Sequence, residues 1–211
     1  MTVILPASKH GSMPEHPTTN LATQIMKYLL VALLLLGSYL ASAQNKYSTR
    51  AGTISFFSST PMEDIDARSS QVGAVLDMNS GQMAFTVPMK SFQFRRSLMQ
   101  EHFNENYVES EKFPRATFAG QIVNFQAASL SKPGPQQVQV EGDLTLHGVK
   151  RHIRVPGTLE LKDNQLVAKS KFVMAPADYN IEIPALVREH IAKTVEVTVS
   201  LLCNPPTVAQ P

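Results

Sequence analysis

The residues of this chain that could take part in acid–base or metal chemistry are its histidines, its carboxylates and one cysteine. His102 and His190 each follow a glutamate, and His147 and His152 lie five positions apart. Zinc sites commonly use spacings such as His-Glu-x-x-His or pairs of closely spaced cysteines, and the sequence contains neither. We therefore predict no metal site, and we expect His147 to hydrogen-bond the backbone at a turn.

Glutamates are frequent between residues 101 and 111, at spacings that favour one face of a helix. Such a face is typically solvated, whereas general acid–base catalysis needs a carboxyl group positioned at the reacting atom. The sequence also contains no Gly-x-Ser-x-Gly nucleophile motif and no glycine-rich loop for phosphate. We therefore predict a protein that is not an enzyme, with no catalytic residue and no cofactor. The glutamates of this segment are Glu101, Glu105, Glu109 and Glu111.

Composition indicates one ordinary globular domain. Apolar residues make up 43% of the 211 residues, and the formal net charge is +2. A nearly neutral chain without clusters of lysine or arginine offers no electrostatic footprint for nucleic acid. Cys203 is the only cysteine, so it forms no internal disulfide. Its position at the end of an apolar run predicts a buried, unreactive thiol.

The segment from Met26 to Ala43 has the layout of a secretory signal peptide. Lys27 supplies the positive charge, an apolar run continues to Leu36, and small residues up to Ala43 form a cleavage site. The apolar run is shorter than the roughly 20 residues that a membrane-spanning helix needs. We predict cleavage after Ala43, a periplasmic or secreted protein, and no stable membrane anchor after cleavage.

These features divide the chain into three parts. Residues 1–43 comprise an N-terminal extension and the signal peptide, with Met26 as the expected natural start because the positive charge follows it directly. Residues 44–203 form the folded domain, and residues 204–211 form a flexible tail.

From Gln44 onward, apolar residues recur at every second position, which is typical of strands with one buried face. Turn-forming residues separate these runs. They include Asp163-Asn164 and the tripeptide from Asn79 to Gly81, where Gly81 is expected to take a positive φ. About eight such runs joined by short turns predict an all-β antiparallel sandwich or barrel.

Two segments depart from this alternation. Ser97 to Tyr107 carries apolar and charged residues at helical spacings, and Ser97 is expected to be its N-cap. Pro184 to Lys193 is predicted to form a second short helix. Pro184 suits the first helical position, and several apolar residues of the segment fall on one face.

The most specific motifs of the chain are Gly142-Asp-Leu-Thr-Leu-His-Gly148 and Asp178-Tyr-Asn-Ile181. With these and the motifs below, the chain resembles the YceI family over about Lys46 to Leu202. The segments from Ser58 to Ile65 and from Met99 to Tyr107 resemble the version found in Bacteroidetes-type bacteria. Further matching motifs are Ile54-Ser-Phe-Phe-Ser58, Met89-Lys-Ser-Phe92 and Phe113-Pro-Arg-Ala-Thr-Phe118.

This resemblance implies both a fold and a function. YceI proteins are exported, lipocalin-like barrels of eight antiparallel strands, with one or two short helices near an opening, that bind polyisoprenoid lipids. The chain is therefore expected to hold an isoprenoid or a similar long apolar molecule inside the barrel. An eight-stranded barrel is either filled by side chains or just wide enough for one slender ligand, so a non-catalytic envelope module with a filled barrel is the alternative. Single-barrel relatives also associate, which leaves a homodimer open.

Alternation predicts which side chains point into the barrel, and the helical segment is expected to supply a lid. Small inward residues favour hollow space, but they also relieve crowding in bent strands. The predicted ligand-lining residues are Phe56, Leu76, Phe85, Phe118, Leu144, Phe172 and Val197; the lid or mouth residues are Phe92, Phe103, Tyr107 and Tyr179; the small inward residues are Ala74, Gly120, Gly142, Ala168 and Ser170.

Overall fold

The structure is a computed structural model that describes residues 25–28 and 45–206. Residues 25–28 are helical, and within the described residues no helix is long and apolar enough to cross a membrane. The predicted cleavage site and most of the signal peptide and tail lie outside the described residues. The division of the chain into three parts therefore stays a prediction.

A sheet of nine strands makes up most of the described chain. In chain order the strands are β1 (Lys46–Ser59), β2 (Asp64–Asp77), β3 (Gln82–Pro88), β4 (Gln93–Phe94), β5 (Arg115–Ile122), β6 (Gln136–Leu146), β7 (Val149–Lys162), β8 (Gln165–Met174) and β9 (Val195–Cys203). All of the strands except β4 are long, because β-branched and aromatic residues alternate with polar ones along them. The pairing of β1 with β2 shifts register on both sides of Gly52.

Pairing between β1 and β9 closes eight of these strands into a barrel. Antiparallel neighbours follow the order β1-β2-β3-β5-β6-β7-β8-β9, and Phe56 of β1 lies opposite Val197 of β9. The two-residue β4 pairs with β2 beside Ala67 and lies outside this ring. The predicted all-β barrel of eight antiparallel strands is confirmed. Closure rules out the sandwich and leaves the ring without an open edge.

Short turns set the register of the hairpins. Asp163 and Asn164 have φ of 50° and 61°, and His147 and Gly148 have φ of 50° and 74°. Two-residue loops with both φ values positive are type I′ turns, whose twist matches that of the flanking strands. Gly81 has a φ of 73°. The turns expected at Asp163-Asn164 and at Gly81 are therefore confirmed.

One short helix, α1 (Ser97–His102), continues into a π-helical turn at Phe103–Tyr107. Ser97 is already helical, and Arg96 occupies the N-cap position without a side-chain hydrogen bond. The expected N-cap role of Ser97 is therefore wrong. The helix is held instead by Gln100, whose Oε1 accepts a hydrogen bond from the Phe94 backbone N–H at 3.2 Å.

The second predicted helix is wrong, because residues 184–193 contain only a 3₁₀ turn at Ala185–Val187. Val187 N–H donates to the Pro184 carbonyl at 3.1 Å, and His190 N–H donates to the Val187 carbonyl at 3.0 Å. Helices this short are marginal without tertiary support. The tertiary contact here favours a loop, since Ala192 N–H donates to Ser58 Oγ on β1 at 3.0 Å.

The barrel has two ends that differ in packing. We call the end formed by the start of β1 and the last residues of β9 the closed end. There Leu166, Leu201 and Cys203 are at most 2% exposed. The opposite end, next to α1 and the loop between β8 and β9, is the helix end. The predicted burial of Cys203 is confirmed, and this burial raises the pKa of its thiol to about 11.

Candidate functional site

The barrel interior contains two adjoining cavities. The central cavity has a volume of about 140 Å³, and the helix-end cavity has a volume of about 370 Å³. Both are lined by Ile54, Val87, Ala116, Leu144 and Phe172, so they lie next to each other along the barrel. An apolar cavity of about 150 Å³ is enough to bind benzene. The helix-end cavity therefore has room for a much longer apolar group.

The central cavity is lined almost entirely by apolar side chains at inward strand positions. Three of the predicted lining residues, Leu76, Phe85 and Phe118, line this cavity and not the helix-end cavity. Phe85 and Phe118 are directly opposite each other on β3 and β5, and their rings stack with centroids 5.6 Å apart. This aromatic pair forms part of the cavity wall.

Gly120 and Gly142 do not open space in the interior. They are paired across β5 and β6, and the ring of Phe118 lies over both of them. A Cβ added at Gly120 or Gly142 would fall 2.6 or 2.7 Å from that ring, closer than real Cβ contacts. The interpretation of these glycines as a sign of hollow space is therefore wrong. They relieve crowding around Phe118, the other role considered from the sequence.

The remaining lining predictions fall at or near the helix end. Phe56 and Val197 line the helix-end cavity, and Leu144 and Phe172 line both cavities. All seven predicted residues thus border a cavity. Whether a ligand contacts them stays a prediction.

Four phenylalanines pack together beside the helix-end cavity, and we call them the aromatic cluster. They are Phe56 of β1, Phe92 and Phe94 around β4, and Phe103 of the π-helical turn, with ring centroids 5.0–5.8 Å apart. Aromatic pairs contribute about 0.5–1.5 kcal/mol beyond the area that they bury. The cluster therefore holds the helical segment against the barrel.

The predicted lid and mouth residues separate into two groups. Phe92, Phe103 and Tyr107 line the helix-end cavity, and burial raises the pKa of the Tyr107 hydroxyl. Tyr179 lines neither cavity. It is 2% exposed, and burial is the largest cause that raises the pKa of its hydroxyl. Phe92, Phe103 and Tyr107 are therefore placed to contact a ligand in the cavity, whereas Tyr179 packs in the core.

Glu63, which sequence reasoning missed, adds a carboxylate to the helix-end cavity. Its side chain is 17% exposed, and its Oε1 lies 2.7 Å from an Nη of Arg96. Its Oε2 lies 3.7 Å from Nδ1 of His190, and His102 lines the same cavity. These residues are far apart in the sequence and share no motif spacing. Only the folded chain brings them together.

His147 joins the β6–β7 turn to two neighbouring loops. Its Nε2 lies 2.7 Å from Glu109 Oε2, and its Nδ1 donates to the Tyr179 carbonyl at 3.1 Å. The hydrogen bond with His147 is the largest cause that lowers the pKa of Glu109, and the charge of Lys112 adds to it. The expected backbone hydrogen bond of His147 is present, although its partner is Tyr179. The contact with Glu109 was not anticipated.

Metal chemistry receives no support from the described part of the chain. Within residues 25–28 and 45–206, no group of three or more His, Cys, Asp or Glu side chains is arranged to hold a metal ion. His152 pairs with Asp143 on the surface, where Nδ1 and Oδ1 are 2.9 Å apart. The two cavities are mainly apolar, with a few polar groups at the helix end.

A closed barrel of eight antiparallel strands with an apolar, hollow interior defines the class of small lipocalin-like barrels. The sequence profile of the YceI-like domain matches residues 41–202, which is most of the chain. The protein belongs to the YceI-like domain family. No curated protein sequence matches it significantly. The predicted Bacteroidetes-type subgroup stays a prediction.

Several solved structures share this fold at low sequence identity. A polyisoprenoid binding domain from Saccharophagus degradans, implicated in plant cell wall breakdown, aligns with a TM-score of 0.66 and 18% identity, over 77% of this chain and 99% of that chain. Burkholderia cenocepacia BcnA aligns with a TM-score of 0.61 and 16% identity, over 72% of this chain and 95% of that chain. The Campylobacter jejuni YCEI protein aligns with a TM-score of 0.52 and 12% identity, over 65% of this chain and 83% of that chain. These likenesses establish the fold alone.

Proposed function

We propose that the protein is an exported lipid-binding protein that holds an isoprenoid or a similar long apolar molecule inside the barrel. The observation that carries this proposal is the pair of adjoining apolar cavities, of about 140 and 370 Å³. Burial of each methylene contributes about 0.8 kcal/mol, so a prenyl chain binds such a space without a polar anchor. The fold match to a polyisoprenoid binding domain from another organism supports the same ligand class.

The alternative, a structural module with a filled barrel, receives less support. A filled interior would leave no cavity larger than a methyl group or a water molecule. The residues Ile54, Ala116 and Phe172 instead border open space on two sides along the barrel. Binding of a slender ligand accounts for this space, and a purely structural role does not.

Catalysis is the weakest of the three options. Ser58, Glu63 and His190 all line the helix-end cavity and are residue types that acyl-transfer enzymes combine. Yet the 3.7 Å between His190 and Glu63 is too long for a hydrogen bond, and Ser58 Oγ accepts from the Ala192 backbone instead. We therefore propose binding without turnover. Hydrolysis of geranylgeranyl acetate that disappears in Ser58→Ala would contradict this proposal.

A cavity-filling variant tests ligand binding directly. Ala116 borders both cavities, so Ala116→Leu should block the path between them. Ala119 lies on the same strand with its side chain exposed, and Ala119→Leu is the matched control. We expect native mass spectrometry to show prenyl lipid bound to the wild type and to Ala119→Leu, with much less bound to Ala116→Leu.

Thermal stability separates blocking from misfolding in this experiment. Filling a cavity with apolar atoms adds buried contacts, so Ala116→Leu should unfold at the same temperature as the wild type or higher. Equal lipid uptake by all three proteins, or no uptake by any, would overturn the proposed function.

Export rests on the signal-peptide layout of Met26 to Ala43. N-terminal sequencing of the mature protein from the native cells should give Gln44 as the first residue. A natural protein that retains the residues before Met26 would contradict both the start and the cleavage site.

A further inference from the structure

We propose that the helix-end cavity selects isoprenoids with a neutral, hydroxyl-donating head and binds this head at Glu63. The inference rests on the proposed lipid-binding function and deepens it. It starts from an unusual position for a carboxylate, because Glu63 lines a cavity whose walls are mainly apolar and is only 17% exposed. Carboxylates in such places are normally paired or hydrogen-bonded.

The β1–β2 turn fixes the backbone of Glu63. The Glu63 N–H donates to Thr60 Oγ1 at 3.1 Å, and the Thr60 N–H donates to the Glu63 carbonyl at 3.0 Å. Arg96 then holds one carboxylate oxygen at 2.7 Å. Backbone and side chain are therefore both held in place, as a binding group requires.

The other carboxylate oxygen remains available as an acceptor. Glu63 Oε2 lies 3.7 Å from His190 Nδ1, beyond hydrogen-bond distance. Two imidazoles, those of His102 and His190, line the same cavity. A ligand hydroxyl can donate to Glu63 Oε2 and accept from a neighbouring imidazole N–H, so both of its hydrogen-bonding roles are met.

The charge of the lining disfavours an anionic head. Among the described residues that line the helix-end cavity, Glu63 is the only carboxylate, and none is lysine or arginine. The side chain of Arg96 is 67% exposed and is already paired with Glu63. A diphosphate placed here would bring further negative charge next to a carboxylate, with no lysine or arginine among the described lining residues to balance it, and such burial is costly.

Apolar residues line the barrel interior from this position to the central cavity. Phe56 of the aromatic cluster lines the helix-end cavity together with Glu63. Leu144 and Phe172 then border both cavities, and Phe85 and Phe118 lie beyond them in the central cavity. A head at Glu63 thus allows the isoprenoid chain to extend toward the closed end.

Three ligands with the same tail test the proposal on the wild-type protein. Geranylgeraniol donates and accepts a hydrogen bond, its methyl ether only accepts, and geranylgeranyl diphosphate is anionic. We expect the alcohol to bind at least about tenfold more tightly than the diphosphate, and several-fold more tightly than the ether. Competition against a fluorescent prenyl probe measures all three affinities.

The Glu63→Gln variant tests whether Glu63 causes the preference for the alcohol over the diphosphate. Removing the charge frees Arg96 and should bring the alcohol and the diphosphate to within about threefold of each other. Asp66→Asn is the matched control, because it removes one carboxylate charge three residues further along the chain, from an exposed position on β2. This control should keep the wild-type ratio.

The outcomes separate the two proposals. Equal binding of the alcohol and the diphosphate to the wild type would overturn the head-group inference while lipid binding stands. An unchanged ratio in a folded Glu63→Gln protein would also overturn it. Failure of the wild type to bind any of the three ligands would overturn the proposed function itself.

Discussion

The closed end and the helix end are built by the same eight strands, yet they are packed differently. At the closed end, Leu166 and Cys203 are fully buried and Leu201 is nearly so. At the helix end, the aromatic cluster and Glu63 line a cavity of about 370 Å³. Close packing stabilises a fold, whereas space and an available acceptor permit binding. The comparison teaches that the tightest packing lies at one end of the barrel and the larger cavity, where we propose ligand binding, lies at the other.

The largest expected effect comes from leucine-to-alanine substitutions at the two ends. Leu166 is fully buried and lines neither cavity, so Leu166→Ala should lower the free energy of unfolding by about 3 kcal/mol or more. Leu146 already borders the helix-end cavity, so Leu146→Ala should cost only about 1–2 kcal/mol. Urea unfolding measures both. Equal costs would mean that the two ends do not differ in packing.

A charge placed in the aromatic cluster should weaken the helix end selectively. Phe103 contacts three other phenylalanines, so Phe103→Asp should cost about 2 kcal/mol and reduce retention of a prenyl lipid. Leu98→Asp, on the same helix but 60% exposed, is the control and should change little. Urea unfolding and native mass spectrometry give the two readouts. If Phe103→Asp kept both stability and lipid, the helical segment would not act as a lid.

A smaller, pH-dependent effect is expected from Glu109 and His147. The pKa of Glu109 is lowered in the folded state, mainly by its hydrogen bond to His147, so this contact stabilises the fold when Glu109 is ionised. The contribution is complete above the ordinary glutamate pKa of about 4.3. It is lost as the pH falls through the lower folded-state pKa.

Melting temperatures of the wild type and Glu109→Gln between pH 7 and pH 3 check this expectation. The wild type should be more stable near neutral pH, and the difference should shrink at the acidic end. Glu105→Gln, at an exposed glutamate on the π-helical turn, should show no such convergence. A difference between wild type and Glu109→Gln that stays constant down to pH 3 would contradict the assigned cause.

The smallest effect is expected at Cys203. Its thiol is fully buried, and burial raises its pKa to about 11, so almost none is thiolate at pH 8. We expect no alkylation by iodoacetamide in the native protein and one adduct after denaturation. Leu98→Cys should add one rapidly formed adduct at the exposed helix. Fast native labelling of Cys203 would show that the closed end opens readily.

Much of the fold could be predicted because its signals are local. Alternation of apolar and polar residues follows directly from strand geometry, and residues such as Asp163 and Asn164 tolerate the positive φ of a tight turn. The predicted lining residues were also read from alternation, which explains why all seven border a cavity. Their contact with a ligand remains to be measured.

Other features depend on distant contacts and could not be read locally. The apolar residues after Pro184 have helical spacing, yet the segment forms a loop. Its Ala192 N–H donates to Ser58 of β1, a contact that the local sequence does not indicate. Gly120 and Gly142 suggested open space, but the ring of Phe118 occupies the space above them. Glu63 is one acid among many in the sequence, and only its neighbours Arg96 and His190 distinguish it.

The sequence by itself determined the strands, their turns and their inward faces, because each depends on a few neighbouring residues. Tertiary structure decided that the sheet closes between β1 and β9, that space remains inside it, and that a carboxylate lies at one end of this space. These properties depend on contacts between residues far apart in the sequence, and barrel closure pairs residues more than a hundred positions apart, such as Phe56 with Val197. No local pattern encodes such pairings, and the cavities inside the barrel depend on them.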